Sequence, residues 1–155
     1  MHRIFIYSFL FFTIDQLSKW LVVFYLQLST KLKIDLNNQF LNFHMAWNKG
    51  INFGLFESES LIQVYFLFLI SVLISLALFF WVRKTKNFAI QLSSALVIGG
   101  AIGNAIDRLL YGSVADFINL TCCGVKNPFS FNLADVFIFI GIIGLIYFRF
   151  DEDID

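Results

Sequence analysis

The sequence predicts an all-α integral membrane protein of four transmembrane helices, N-in and C-in, with a small extracytoplasmic β-hairpin or cradle in its first outer segment. Three observations predict it. Of 155 residues, 59% are hydrophobic and 14% are charged, against about 25% charged in soluble domains. Stretches with few charges recur at the length a bilayer core requires, about 20 residues per helix. The basic residues Arg83, Lys84 and Lys86 gather in one short loop, the feature that fixes the orientation of a bundle. The length suits a single domain, residues 1–155.

The first span is placed at residues 4–28, apolar apart from Asp15, Gln16, Ser18 and Lys19. DQLSK follows its apolar run where a cleaved signal peptide would show a small-residue site, so the segment is expected to stay in the protein. The outer segment 29–60 comes next. From Leu41, the apolar Leu41, Phe43, Met45 and Trp47 alternate with Asn42, His44 and Ala46, the period of a β-strand. The alternation resumes at Ile51, Phe53 and Leu55, so Asn48, Lys49 and Gly50 would form the turn of a hairpin. An irregular loop is the competing reading. The second span, 61–82, has no charged side chain, and the third, 88–110, stays apolar until Asn104, Asp107 and Arg108. Gly99, Gly100 and Gly103 lack the preceding strand of a phosphate loop and are expected to permit close helix packing. A second outer segment, 111–128, leads to the fourth span, 129–148, which Asn132 and Asp135 interrupt near its start. The basic loop between spans two and three belongs in the cytoplasm, which places both termini inside and both outer segments outside.

Several function classes are excluded. Eleven basic residues balance eleven acidic ones, leaving no positive excess to displace counterions from nucleic acid. Cys122 and Cys123 are adjacent, which suits neither a disulfide framework nor a zinc site. With only His2 and His44 available, a histidine-based metal site is also poorly supplied, and no metal is expected.

Ionisable groups at membrane depth cost several kcal/mol, so they pair, face a protein interior or do chemistry. Asp15 and Lys19 are one helical turn apart and can pair; they are read as structural, with Asp107 in the same polar network. Asn104 and Arg108 share a helix face near the outer end of span three, where they either grip a substrate backbone or hold helices together. Asp116 and Asp135 lie at similar depth near the outer boundary and can meet. Two carboxylates in one poorly solvated site cannot both ionise easily, and one keeps a proton near neutral pH. That arrangement suits an aspartic protease, with the ionised member activating water and the protonated one donating to the peptide carbonyl. The alternative is two unrelated carboxylates, one solvated in a loop and one capping the fourth helix. A Ser18/Lys19 dyad fails because sequential residues point about 100° apart on a helix. A proton-relaying transporter would place its carboxylates near the midplane and show repeat symmetry, which the sequence lacks. A purely structural protein would tolerate neutral residues in place of the aspartates.

The motifs taken together resemble the lipoprotein signal peptidases (signal peptidase II) of bacteria. DQLSK at 15–19, NKGINFG at 48–54, GGAIGNAIDRLLYGSVADF at 99–117 and FNLAD at 131–135 are similar to that family's blocks and follow its order. The resemblance implies Asp116 and Asp135 as catalytic, Asn48, Asn104 and Arg108 as substrate contacts, and Asn132 as positioning the pair. It leaves Asp15, Lys19 and Asp107 structural. It also implies an inner-membrane endopeptidase acting at the extracytoplasmic face on diacylglyceryl-prolipoproteins within membrane lipid, as a monomer and with no cofactor. Asn52 and Ala115 depart from the residues most common in the family at those positions.

Overall fold

The computed structural model describes residues 2–36, 40–50, 60–121 and 127–152. Helix α1 (His2–Lys19) passes directly into a π-helical stretch (Trp20–Tyr25). Gln27, with φ 59°, then turns the chain into the short α2 (Leu28–Lys31). Strands β1 (Lys33–Asp35) and β2 (Leu41–Asn48) follow. Helix α3 (Leu61–Val82) is strongly apolar with no charged residue to interrupt it. Helix α4 (Phe88–Tyr111) opens on Asn87, whose Oδ1 accepts the N–H groups of Ala89 and Ile90, satisfying donors that the first turn leaves orphaned. It closes on Gly112 at φ 72°, a left-handed cap that glycine adopts at little cost. That sharp stop sends the chain straight into β3 (Val114–Leu120), and α5 (Leu133–Glu152) completes the fold.

Among the described residues, three helical segments are long and apolar enough to cross a membrane, 2–25, 61–82 and 88–111, and the apolar stretch of α5, Leu133–Phe148, is shorter. The fourth helix starts later than the predicted boundary at 129 because Phe131 is spent on strand-like pairing. Its N–H donates to Ile118 O at 3.0 Å, and its carbonyl accepts from Ile118 N at 2.8 Å. The first span is also shorter than predicted, its helical path ending at Tyr25.

The three strands form one antiparallel sheet in the order β1-β2-β3. The alternating run from Leu41 is a strand as its period indicates, but the cradle is not confined to the first outer segment. Its third strand comes from the second, with Ala46 opposite Asp116 and Asn48 opposite Val114. β3 escapes sequence reading because it is buried on both faces, which removes the alternation. The second arm of the predicted hairpin at 51–55, together with Asn52, Cys122 and Cys123, lies outside the described residues.

The other three long helices pack on α4, and glycines let α1 and α5 approach it closely. A Cβ at Gly100 would sit 2.5 Å from Ala134 O, and one at Gly103 would sit 2.5 Å from Asp15 Oδ2, so a larger residue would have to displace the α5 backbone or the Asp15 carboxylate. Beneath the sheet, Val22, Val23, Leu28, Met45, Ala115 and Phe117 form an apolar cluster. Phe43 packs edge-on against Phe117 with ring centres 6.0 Å apart. The sheet is thereby pinned to the end of the bundle where α4 stops and α5 begins.

Candidate active site

Two acidic residues from different elements converge where β3 meets the start of α5. Asp116 lies in β3 and is 3% exposed. Asp135 lies in the first turn of α5. Asn132, fully buried, binds both: its Nδ2 donates to Asp116 Oδ1 at 2.6 Å, and its backbone N–H donates to Asp135 Oδ2 at 3.2 Å. Asn132 Oδ1 in turn accepts from Asp135 N at 3.0 Å. This reciprocal pairing is a capping box built from Asn and Asp. The capping alternative raised by the sequence is therefore correct for Asp135, whereas Asp116 is buried in a strand and not solvated in a loop.

Each carboxylate has one further side-chain donor. Asn48, the last residue of β2, donates from Nδ2 to Asp116 Oδ2 at 3.1 Å, and Asn104 of α4 donates from Nδ2 to Asp135 Oδ1 at 2.9 Å. Burial first, and then the neighbouring Asp135, push the Asp116 carboxyl up from its ordinary 3.8 to about 7, against the hydrogen bonds from Asn48 and Asn132 that pull it down.

Arg108 lines the same region and is fixed by main-chain carbonyls: Nη2 donates to Gly50 O at 2.9 Å and Nη1 to Asn104 O at 3.2 Å. Its buried Nε has no hydrogen-bond partner among the described residues. The shared helix face of Asn104 and Arg108 is as the spacing predicts, but only the Asn104 side chain contacts a dyad carboxylate directly.

Asp15, Lys19 and Asp107 form the expected polar network between α1 and α4. Lys19 Nζ lies 2.7 Å from Asp15 Oδ2 and 2.8 Å from Asp107 Oδ2. Gln16 joins them, its Nε2 donating to Asp107 Oδ1 at 2.9 Å. No role for Gln16 follows from residue type alone; the available signal is its place in a polar run inside an otherwise apolar span. Lys19 also donates to Asn104 Oδ1 at 3.0 Å, which connects this network to Asp135.

Known proteins resemble this chain in sequence and in fold. A family model for signal peptidase (SPase) II matches residues 7–150. The lipoprotein signal peptidase of Nitrobacter hamburgensis is 34% identical over 139 residues, 88% of this chain and 84% of that protein. That of Methylobacterium radiotolerans is 39% identical over 107 residues, 69% of this chain but only 62% of the relative's length. Two solved structures of bacterial membrane enzymes superpose with TM-scores of 0.79 and 0.75, each at 27% identity. The first covers 99% of this chain and 90% of that one; the second covers 95% and 92%.

Proposed function

Because this chain belongs to the signal peptidase II family, a family of membrane proteases, we propose that it is an aspartic endopeptidase. It removes the signal peptide from diacylglyceryl-modified bacterial prolipoproteins, cutting before the lipidated cysteine. The observation that carries the mechanism is the binding of Asp116 and Asp135 to the same residue, Asn132, with Asp116 almost wholly buried, a setting in which two neighbouring carboxyls share one proton.

The surroundings divide the roles. Asp135 sits at a helix N-terminus, where the backbone dipoles favour negative charge, and accepts from both a backbone N–H and the Asn104 amide. It is the ionised member and general base. Asp116 lies in a strand with no such dipole and holds its proton up to about pH 7. In the first step a water attacks the scissile carbonyl carbon, giving a proton to Asp135 while Asp116 donates its own to the carbonyl oxygen. In the second, Asp135 passes its proton to the leaving nitrogen, the C–N bond breaks, and Asp116 recovers a proton from a hydroxyl of the intermediate. Asn48 and Arg108 border the site and hold the substrate backbone, and Asn132 keeps the two carboxyl groups in register. No cofactor enters these steps.

The substrate carries its lipid in the bilayer and presents its scissile bond near the outer interface. The proposed setting is accordingly the inner membrane, with α5 serving as a fourth span, both termini inside and the site at the extracytoplasmic face. The enzyme acts as a monomer surrounded by lipid. A cysteine placed at Thr85 should be labelled only from the cytoplasmic side.

Cleavage of a diacylglyceryl-modified prolipoprotein by reconstituted Asp116→Asn and Asp135→Asn tests the chemistry. Each is expected to lose about a thousandfold or more in rate, the scale of a lost acid or base. Wild-type cleavage by either correctly inserted variant would show that the pair is not the catalytic machinery.

A further inference from the structure

The buried network between α1 and α4 does more than join two helices. Asp15, Lys19 and Asp107 are each almost wholly excluded from solvent, and a buried ion cluster is an expensive way to hold helices that apolar side chains could hold as well. What distinguishes this one is where its remaining hydrogen bonds go. Asp15 Oδ1 accepts the backbone N–H of Ala134 at 3.0 Å, and Asp107 Oδ2 accepts the backbone N–H of Ala115 at 3.3 Å. Ala134 immediately precedes Asp135, and Ala115 immediately precedes Asp116. The two acids of the cluster therefore each hold the peptide next to one of the two site aspartates, and Lys19 holds the two acids together. The third contact of Lys19, to Asn104 Oδ1 at 3.0 Å, orients that amide so that its Nδ2 faces Asp135 Oδ1 at 2.9 Å.

We infer that the Asp15–Lys19–Asp107 triad is a positioning device that sets the separation and orientation of Asp116 and Asp135 by gripping the backbone beside each. This rests on the dyad reading above. Lys19 is the cross-piece: it fixes how far apart the Ala115 and Ala134 amides are held, and so how closely β3 and α5 bring their carboxylates. None of the triad is assigned contact with substrate.

The distinguishing pair of variants is Asp107→Asn and Asp107→Leu, measured as kcat and KM separately on the full-length reconstituted protein with thermal unfolding alongside. Asn can keep an amide oxygen toward Ala115 N and Lys19, giving up only the contact with Gln16, whose Nε2 still has Asp15 Oδ2 and Gly103 O to donate to. Leu keeps the branched shape, at a somewhat larger volume, and loses the acceptors. Asp107→Leu is expected to lose about a hundredfold in kcat with KM little changed, as a small misplacement of reacting groups does, whereas Asp107→Asn stays within about fivefold of wild type. Lys19→Arg keeps the charge and so avoids leaving two acids unpaired, but replaces a compact ammonium with a wide planar fork; it should lose about tenfold in kcat at unchanged KM. It gives the answer if Asp107→Leu does not insert.

A network that only stabilises the bundle would lower the unfolding temperature and leave kcat per folded molecule at the wild-type value. That result, in Asp107→Leu or in Lys19→Arg, overturns the inference, as does equal impairment of Asp107→Asn and Asp107→Leu. Asp116→Asn run in the same assay separates the two levels. If it has lost cleavage while the triad variants keep theirs, only the positioning role falls; if it still cleaves, the dyad reading falls and the positioning role with it.

Discussion

Helices α3 and α4 are near equals in length, 22 and 24 residues, and opposites in use. The apolar window of α3 has mean hydropathy 2.5 and is 11% buried, while that of α4 has mean hydropathy 1.5 and is 61% buried. The more hydrophobic helix is thus the one that faces outward, packing chiefly on α4 among the helices. In a protein whose solvent is hydrocarbon, apolarity marks contact with lipid, and interruptions of apolarity mark the protein interior. Asn104, Asp107 and Arg108 all lie on the helix that the sequence made less oily, and all are buried.

The largest expected difference between the two helices is in catalysis. Replacing Asn104 of α4 by Leu removes the donor to Asp135 and the acceptor for Lys19 together. Cleavage by Asn104→Leu should fall about a hundredfold, the scale of leaving a buried charged group without its hydrogen bond. A fall of less than twofold would mean that α4 carries no more of the chemistry than α3 does.

The pH dependence sharpens the same contrast, because α3 carries no acidic residue whereas Asn104 of α4 binds one of the two site carboxylates. In the proposed mechanism Asp116 must hold a proton to act, and its carboxyl is pushed up to about 7. Activity is therefore present below that value and is lost as pH rises through it, by about tenfold for each further unit. On the acid side, activity declines as Asp135 takes up a proton. Rates measured in the chemistry-limited range should give this bell shape, and a flat profile would argue against a shared proton.

Packing gives a smaller effect. Gly103→Val places a side chain against the Asp15 carboxylate and should destabilise the bundle by about 1–3 kcal/mol, as overpacking does, read as a lower unfolding temperature. Smallest of all is Leu69→Ala on the exposed face of α3, which should change stability by no more than about 0.5 kcal/mol and leave cleavage within about twofold of wild type. If Leu69→Ala matched Gly103→Val, the two helices would not differ as their burial indicates.

How much of this was legible beforehand follows the same physics. The bounds of α3 can be read directly because no charged residue interrupts the run. Asp116 and Asp135 stand out because charge is costly at that depth, so acids retained there need a reason. The start of α5 was misplaced because Phe129 to Phe131 are apolar enough to continue a span, and only the pairing of Phe131 with Ile118 in β3 takes them out of the helix. β3 itself was missed because burial on both faces erases the period of a strand. The grip of Asp15 on Ala134 joins residues far apart in sequence through a backbone N–H, a donor that every residue but proline possesses; no residue type announces it.

One proton held between two carboxylates at neutral pH is the center on which the proposed chemistry turns, and infrared difference spectroscopy can see it. The protonated-carboxyl band that disappears on Asp116→Asn should be present in the wild-type protein below pH 7 and fade as pH rises through about 7. A band assigned to Asp116 that instead titrates near the ordinary 3.8, or no band removed by Asp116→Asn at all, would contradict it.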